Sequence, residues 1–162
     1  MRTRLKCFRL NDEELTFSFG TFSLIMYYAK QVDYANGKKM FDATQSEYYY
    51  RVNYDLPEGD LTDLDRQAHF VVADVQQVVS FIQNKLIPSL NTEPIGLLEK
   101  YGGRDNFYDL FYIDMDFLQA IGIGDNEYYD DSPQDLIAYL NQYKDFLQYA
   151  LSINQAYKVY VD

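Results

Sequence analysis

The chain has one histidine, one cysteine and no tryptophan, which narrows the chemistry it can carry. His69 is the only imidazole base that a serine or cysteine nucleophile could use. It sits in the apolar run His69-Phe70-Val71-Val72, where a structural, hydrogen-bonded histidine is expected. No Gly-x-Ser-x-Gly elbow occurs. Cys7 lies among Arg4, Lys6 and Arg9, cations that would lower its pKa, but a strand side chain turned inward would be inert. A single cysteine excludes an intramolecular disulfide and argues against a cysteine-based zinc site.

Gly122-Ile123-Gly124 has the outline of a phosphate loop. The Asp125-Asn126-Glu127 that follows would repel phosphate, and no Gly-Lys-Ser or Gly-Lys-Thr accompanies it. Asp114, Asp116, Asp125, Asp130 and Asp131 are the oxygen ligands that Ca²⁺ or Mg²⁺ takes. The segment lacks the glycine and the closing glutamate of an EF-hand loop, so solvated carboxylates are expected and no metal or cofactor is assigned. Paired carboxylates can hydrolyse glycosides, but tryptophan, the residue best suited to stack on a sugar in such a cleft, is missing. The chain is read as a non-enzyme.

Charge supplies the stronger signal. The formal net charge is −11, and there are 17 tyrosines in 162 residues. Such acidity argues against direct contact with nucleic acid or an anionic membrane, and it favours a basic partner. The charge is uneven: +1 over residues 1–50, −4 over 51–100 and −8 over 101–162, where ten of the tyrosines also fall. Within that last third, carboxylates alternate with aromatics, as in Asn106-Phe107-Tyr108-Asp109 and Asp125-Asn126-Glu127-Tyr128-Tyr129-Asp130-Asp131. Carboxylates steer association with Lys and Arg, and tyrosines give a rigid anchor. The candidate partner-binding residues are Asp109, Asp114, Asp116, Asp125, Glu127, Tyr128, Tyr129, Asp130 and Asp131.

The elements that must position them follow from periodicity and capping. Ser132 to Leu151 is the clearest helix: Ser132 caps it, Pro133 opens it, Asp135 complements its dipole, and Leu136, Leu140, Tyr143 and Leu147 form one stripe. Arg2–Leu10 and Leu15–Phe19 read as a hairpin whose loop is Asn11 to Glu14, longer than the tightest turns. A helix runs from Phe22 and closes at Asn36-Gly37; another runs from an Asp74 cap to Pro88; a short one starts at Glu93-Pro94 and stops at Gly102-Gly103. Tyr48–Tyr54, Phe107–Ile113 and Tyr157–Val161 alternate as strands, and His69–Val72 could be a buried one, although a helix from Asp105 fits Phe107–Ile113 nearly as well.

The expected fold is one α+β domain over residues 1–162, a mostly antiparallel sheet of about five strands with helices packed on one face. No secretory signal or membrane span is seen, so a soluble, cytoplasmic protein is expected. The expected function is an acidic interaction module that inhibits a nuclease or other nucleic-acid-binding enzyme by occupying its basic groove as a nucleic-acid mimic. Phage proteins directed against restriction or CRISPR enzymes act in this way, an analogy of charge and size alone, since no motif places this chain in a family. The alternatives are a toxin-immunity protein that plugs an active site by shape, and a small carboxylate-site or metal-site enzyme or ligand binder.

Overall fold

The computed structural model describes residues 4–57, 66–113, 127 and 129–162. β1 (Leu5–Leu10) and β2 (Glu13–Ser18) pair antiparallel with Leu10 opposite Glu13. The connection is therefore the two residues Asn11-Asp12 and not the longer loop expected. Asn11 adopts φ 54°, a left-handed conformation that asparagine tolerates and a tight hairpin requires. β3 (Lys158–Val161) pairs antiparallel with the other edge of β1, giving the order β2-β1-β3. The molecule is α+β, but its sheet has three strands among the described residues, not about five, and helices make up most of the fold.

The expected additional strands are helices. Tyr48–Tyr54 falls in α3 (Glu47–Asn53), whose cap Ser46 accepts from the Tyr49 N–H. Arg51 donates to Glu47 one turn away, a pairing that only a helix allows. The apparent alternation came from tyrosine, which counts as apolar on one face and polar on the other. Phe107–Ile113 falls in α7 (Arg104–Ile113), where Phe107 and Phe111 stand one turn apart and are fully buried. His69–Val72 is no buried strand either. Gln67 and Ala68 make single bridges to Lys158 and Ser46, and Val71 and Val72 are exposed at the start of a helix.

α1 (Phe19–Val32) is buried along almost its whole length and forms the centre of the helical layer. It ends at Asp33, whose carboxylate caps α2 (Tyr34–Ala43) by accepting from the Asn36 N–H. Asn36-Gly37 therefore closes no helix; it lies inside α2. Gly37 is there because α2 presses on α1: a Cβ would come within 2.7 Å of the Lys30 nitrogen.

Pro88 does not end its helix. α4 (Val72–Phe81) passes into a π-helical turn, Ile82–Leu86, and continues as α5 (Ile87–Asn91) with Pro88 in its first turn. Ile87 donates back to the Ile82 carbonyl, five residues away, and this wider turn lets the proline follow without breaking the rod. α6 (Leu97–Lys100) begins later than Glu93-Pro94 and stops at Gly102 and Gly103, both at positive φ. α8 (Pro133–Ile153) has the cap and first turn read from the sequence and ends at left-handed Asn154. Its Tyr143 ring meets Phe8 at 5.4 Å, which lays α8 against the inner face of the sheet. Among the described residues no helix is long and apolar enough to cross a membrane.

Gly37→Ala should lower stability by about 1–3 kcal/mol, the usual cost of forcing atoms into a closed helix contact. Urea denaturation reads this directly, and an unchanged midpoint would mean that α1 and α2 can part without cost.

Candidate partner-binding surface

The segment that enters α8 is acidic, but the carboxylates of Glu127 and Asp130 have internal work. Arg4 donates through Nε to Glu127 Oε1 at 2.6 Å, and its guanidinium lies 4.2 Å over the Phe19 ring. Glu127 is buried by this contact, with only 6% of its surface exposed. Asp130 donates its backbone N–H to Thr21 Oγ1, and its carboxylate accepts from the Tyr139 hydroxyl at 2.8 Å. The Asp131 carbonyl accepts from the Leu97 N–H at the start of α6. Tyr129 packs edge-on to Phe107 at 5.9 Å, and burial pushes its hydroxyl up to about 12. Glu127, Tyr129, Asp130 and Asp131 thus fasten the chain to α1, α6, α7 and α8. Asp114, Asp116, Asp125 and Tyr128 lie outside the described residues.

Asp109 is different. Its helix, α7, buries Phe107 and Phe111 and turns Asp105 and Asp109 to solvent. Asp105, Tyr108, Asp109 and Tyr112 follow at three- and four-residue steps, so they share one outer face. Neither Asp105 nor Asp109 forms an ion pair among the described residues. Tyr112 is 44% exposed and Ile113 is 82% exposed at the end of the helix. Carboxylates and apolar groups therefore stand side by side on a rigid element. Such a surface can steer a cation and then bury apolar area against it.

Sequence reading did not find the polar cluster around the single histidine. His69 Nδ1 stands 2.7 Å from Glu47 Oε2, and the imidazole stacks on Tyr50 with ring centres 3.4 Å apart. Burial opposes ionisation of Glu47, yet its hydrogen bonds to His69 and Arg51 hold it below the usual glutamate value. Beside it, Tyr54 donates to the Asp42 carboxylate at 2.8 Å, and burial pushes Asp42 up to about 6. Glu47 and His69 are 22 residues apart, and only the Glu47–Arg51 spacing within a helix signals any of this. The cluster joins α2, α3 and the segment before α4. Among the described residues no group of three or more His, Cys, Asp or Glu is placed to hold a metal ion. Cys7 is also buried, and burial, with Asp162 and Glu14 nearby, pushes its thiol up rather than down.

Compared with models of known families, with curated proteins and with solved structures, the chain matches none.

The two kinds of carboxylate should separate in a stability measurement. Glu127→Gln weakens a charge-assisted hydrogen bond and should cost about 1–2 kcal/mol. Asp105→Asn and Asp109→Asn should stay within about 0.5 kcal/mol of wild type, as surface changes do. Equal losses at all three positions in chemical denaturation would contradict this division.

Proposed function

We propose that the protein is an acidic protein-interaction module that acts in the cytoplasm and inhibits a nucleic-acid enzyme by occupying its basic groove. The observation that carries this reading is the outer face of α7, where Asp105 and Asp109 stand in solvent beside the exposed Tyr112 and Ile113. One helical turn separates the two carboxylates, a spacing of about 6 Å along the axis. Fixed negative charges in a row on a rigid rod resemble, to a basic groove, a short run of phosphates. The net charge of −11 extends the attraction beyond contact distance and keeps the protein itself off nucleic acid. No catalytic step and no cofactor belongs to this mode of action; the partner's groove is filled and its substrate excluded.

The aromatic half of the same face supports the second reading, an immunity protein that plugs an active site by shape. There Tyr112 and Ile113 would carry the affinity and the carboxylates would add little.

Affinity capture from the native host's lysate, followed by titration of the purified partner, distinguishes the two. The proposal expects a basic nucleic-acid-binding enzyme whose activity falls as the protein is added. It expects affinity to fall at least tenfold between about 50 mM and 500 mM salt, and an Asp105→Asn/Asp109→Asn variant to inhibit poorly. Salt-independent binding that survives this variant but is lost in Tyr112→Ala would establish the plug instead.

A further inference from the structure

At the hairpin end of the sheet, an open cleft of about 650 Å³ is lined by Arg9, Asn11, Arg66, Gln155, Lys158 and Tyr160 among others. Its three cations are out of keeping with the rest of the molecule. Arg9 on β1 and Lys158 on β3 are register partners, so two like charges stand directly opposite each other. Such a pair destabilises a sheet. Arg66 joins them because its carbonyl accepts from the Val159 N–H at 2.7 Å, which lays its segment along β3, and its guanidinium stands 5.5 Å from the Tyr160 ring centre.

None of the three forms an ion pair among the described residues. Glu14 is opposite Arg9 on β2, yet it closes no salt bridge with it. Elsewhere Arg4, Lys39, Arg51, Lys85 and Lys100 each meet a carboxylate. Lys6, Lys38, Arg104 and Lys144 also close no ion pair among the described residues, but they lie on four different elements; Arg9, Arg66 and Lys158 line one concavity, and that clustering calls for an anion from outside.

We propose that this cleft binds a small phosphorylated ligand. Two guanidinium groups offer the planar forks that grip phosphate oxygens in pairs, and Lys158 adds a third positive charge. Gln155 and Tyr160 supply neutral hydrogen-bonding groups at the rim. The volume lies in the range of small-molecule sites, about 300–1,000 Å³. A long polyanion is disfavoured, because the net charge of −11 would repel whatever part of it extends past the cleft. The site is separate from the outer face of α7. Asn11 donates to Tyr149 near the C-terminal end of α8, whereas Tyr129 ties α7 to the chain entering its N-terminal end. The 21 residues between those ends span about 31 Å.

Sodium pyrophosphate is the probe, titrated into the whole protein at constant ionic strength and followed by calorimetry and by amide NMR shifts. The proposal expects saturable binding, with the largest shifts at Arg9, Arg66 and Lys158. It expects at least tenfold weaker binding in Arg66→Gln and in Lys158→Gln, with no loss of melting temperature in either. The Asp105→Asn/Asp109→Asn variant should bind as wild type does, so a failure here is distinct from a failure of the α7 surface. No saturation up to about 10 mM, equal affinity in all variants, or preference for a short duplex oligonucleotide over pyrophosphate would each overturn it.

Discussion

The Phe8 ring is where the layers of this protein meet. It stands within 5.4–6.1 Å of Phe17, Tyr143, Phe146 and Tyr157, and is itself fully buried. Those contacts join the central strand to its neighbour β2, to two turns of α8 and to the residue that leads into β3. Tyr157 extends the join, because its hydroxyl donates to the Ala43 carbonyl at the end of α2. A three-stranded sheet needs a buried apolar face to be stable, and the aromatic cluster supplies it by packing the sheet against the helices. Both proposed surfaces depend on this packing: β1 and β3 carry the basic cleft, and Tyr129, just before α8, packs on Phe107 of α7.

The acidity of the chain divides once the fold is known. Asp33, Glu47, Glu93, Glu127 and Asp130 are hydrogen-bonded to cations, caps or hydroxyls and belong to the architecture. Asp105 and Asp109 have no such task among the described residues and face outward from a helix whose other side is locked by Phe107 and Phe111. Positive charge is spread differently: Arg4, Lys39, Arg51, Lys85 and Lys100 each meet a carboxylate, and Arg9, Arg66 and Lys158 gather around the cleft. Three cations thus gather near the C-terminal end of α8 in a molecule whose total is strongly negative.

Some of this was legible in the residues and some was not. α8 was, because Ser132, Pro133 and Asp135 are local signals that no distant contact needs to supply. The hairpin was, apart from the tightness of its turn. α3 was not, because three successive tyrosines carry no period of their own and the helix rests on Ser46 and on Glu47–Arg51. Gly37 read as a stop because glycine ends helices more often than it admits a neighbouring one; only the approach of α1 reveals its role. The acidic segment was visible as composition, but the partner of Glu127 is Arg4, 123 residues earlier. A carboxylate that fastens the chain and one that stands in solvent look alike until the fold brings cations to the first. The basic cleft was hidden for the same reason, since Arg9, Arg66 and Lys158 come together only through β1–β3 pairing and the bridge at Gln67.

Contact through α7 is best tested by zero-length carbodiimide cross-linking of the protein to its captured partner, read by mass spectrometry. That reagent joins a carboxylate only to an amine already in contact with it. If α7 fills the groove, bonds form from Asp105 and Asp109 to lysines in the partner's nucleic-acid groove at low salt and are lost at high salt. Bonds that avoid α7, or that end on lysines outside the groove, would contradict it.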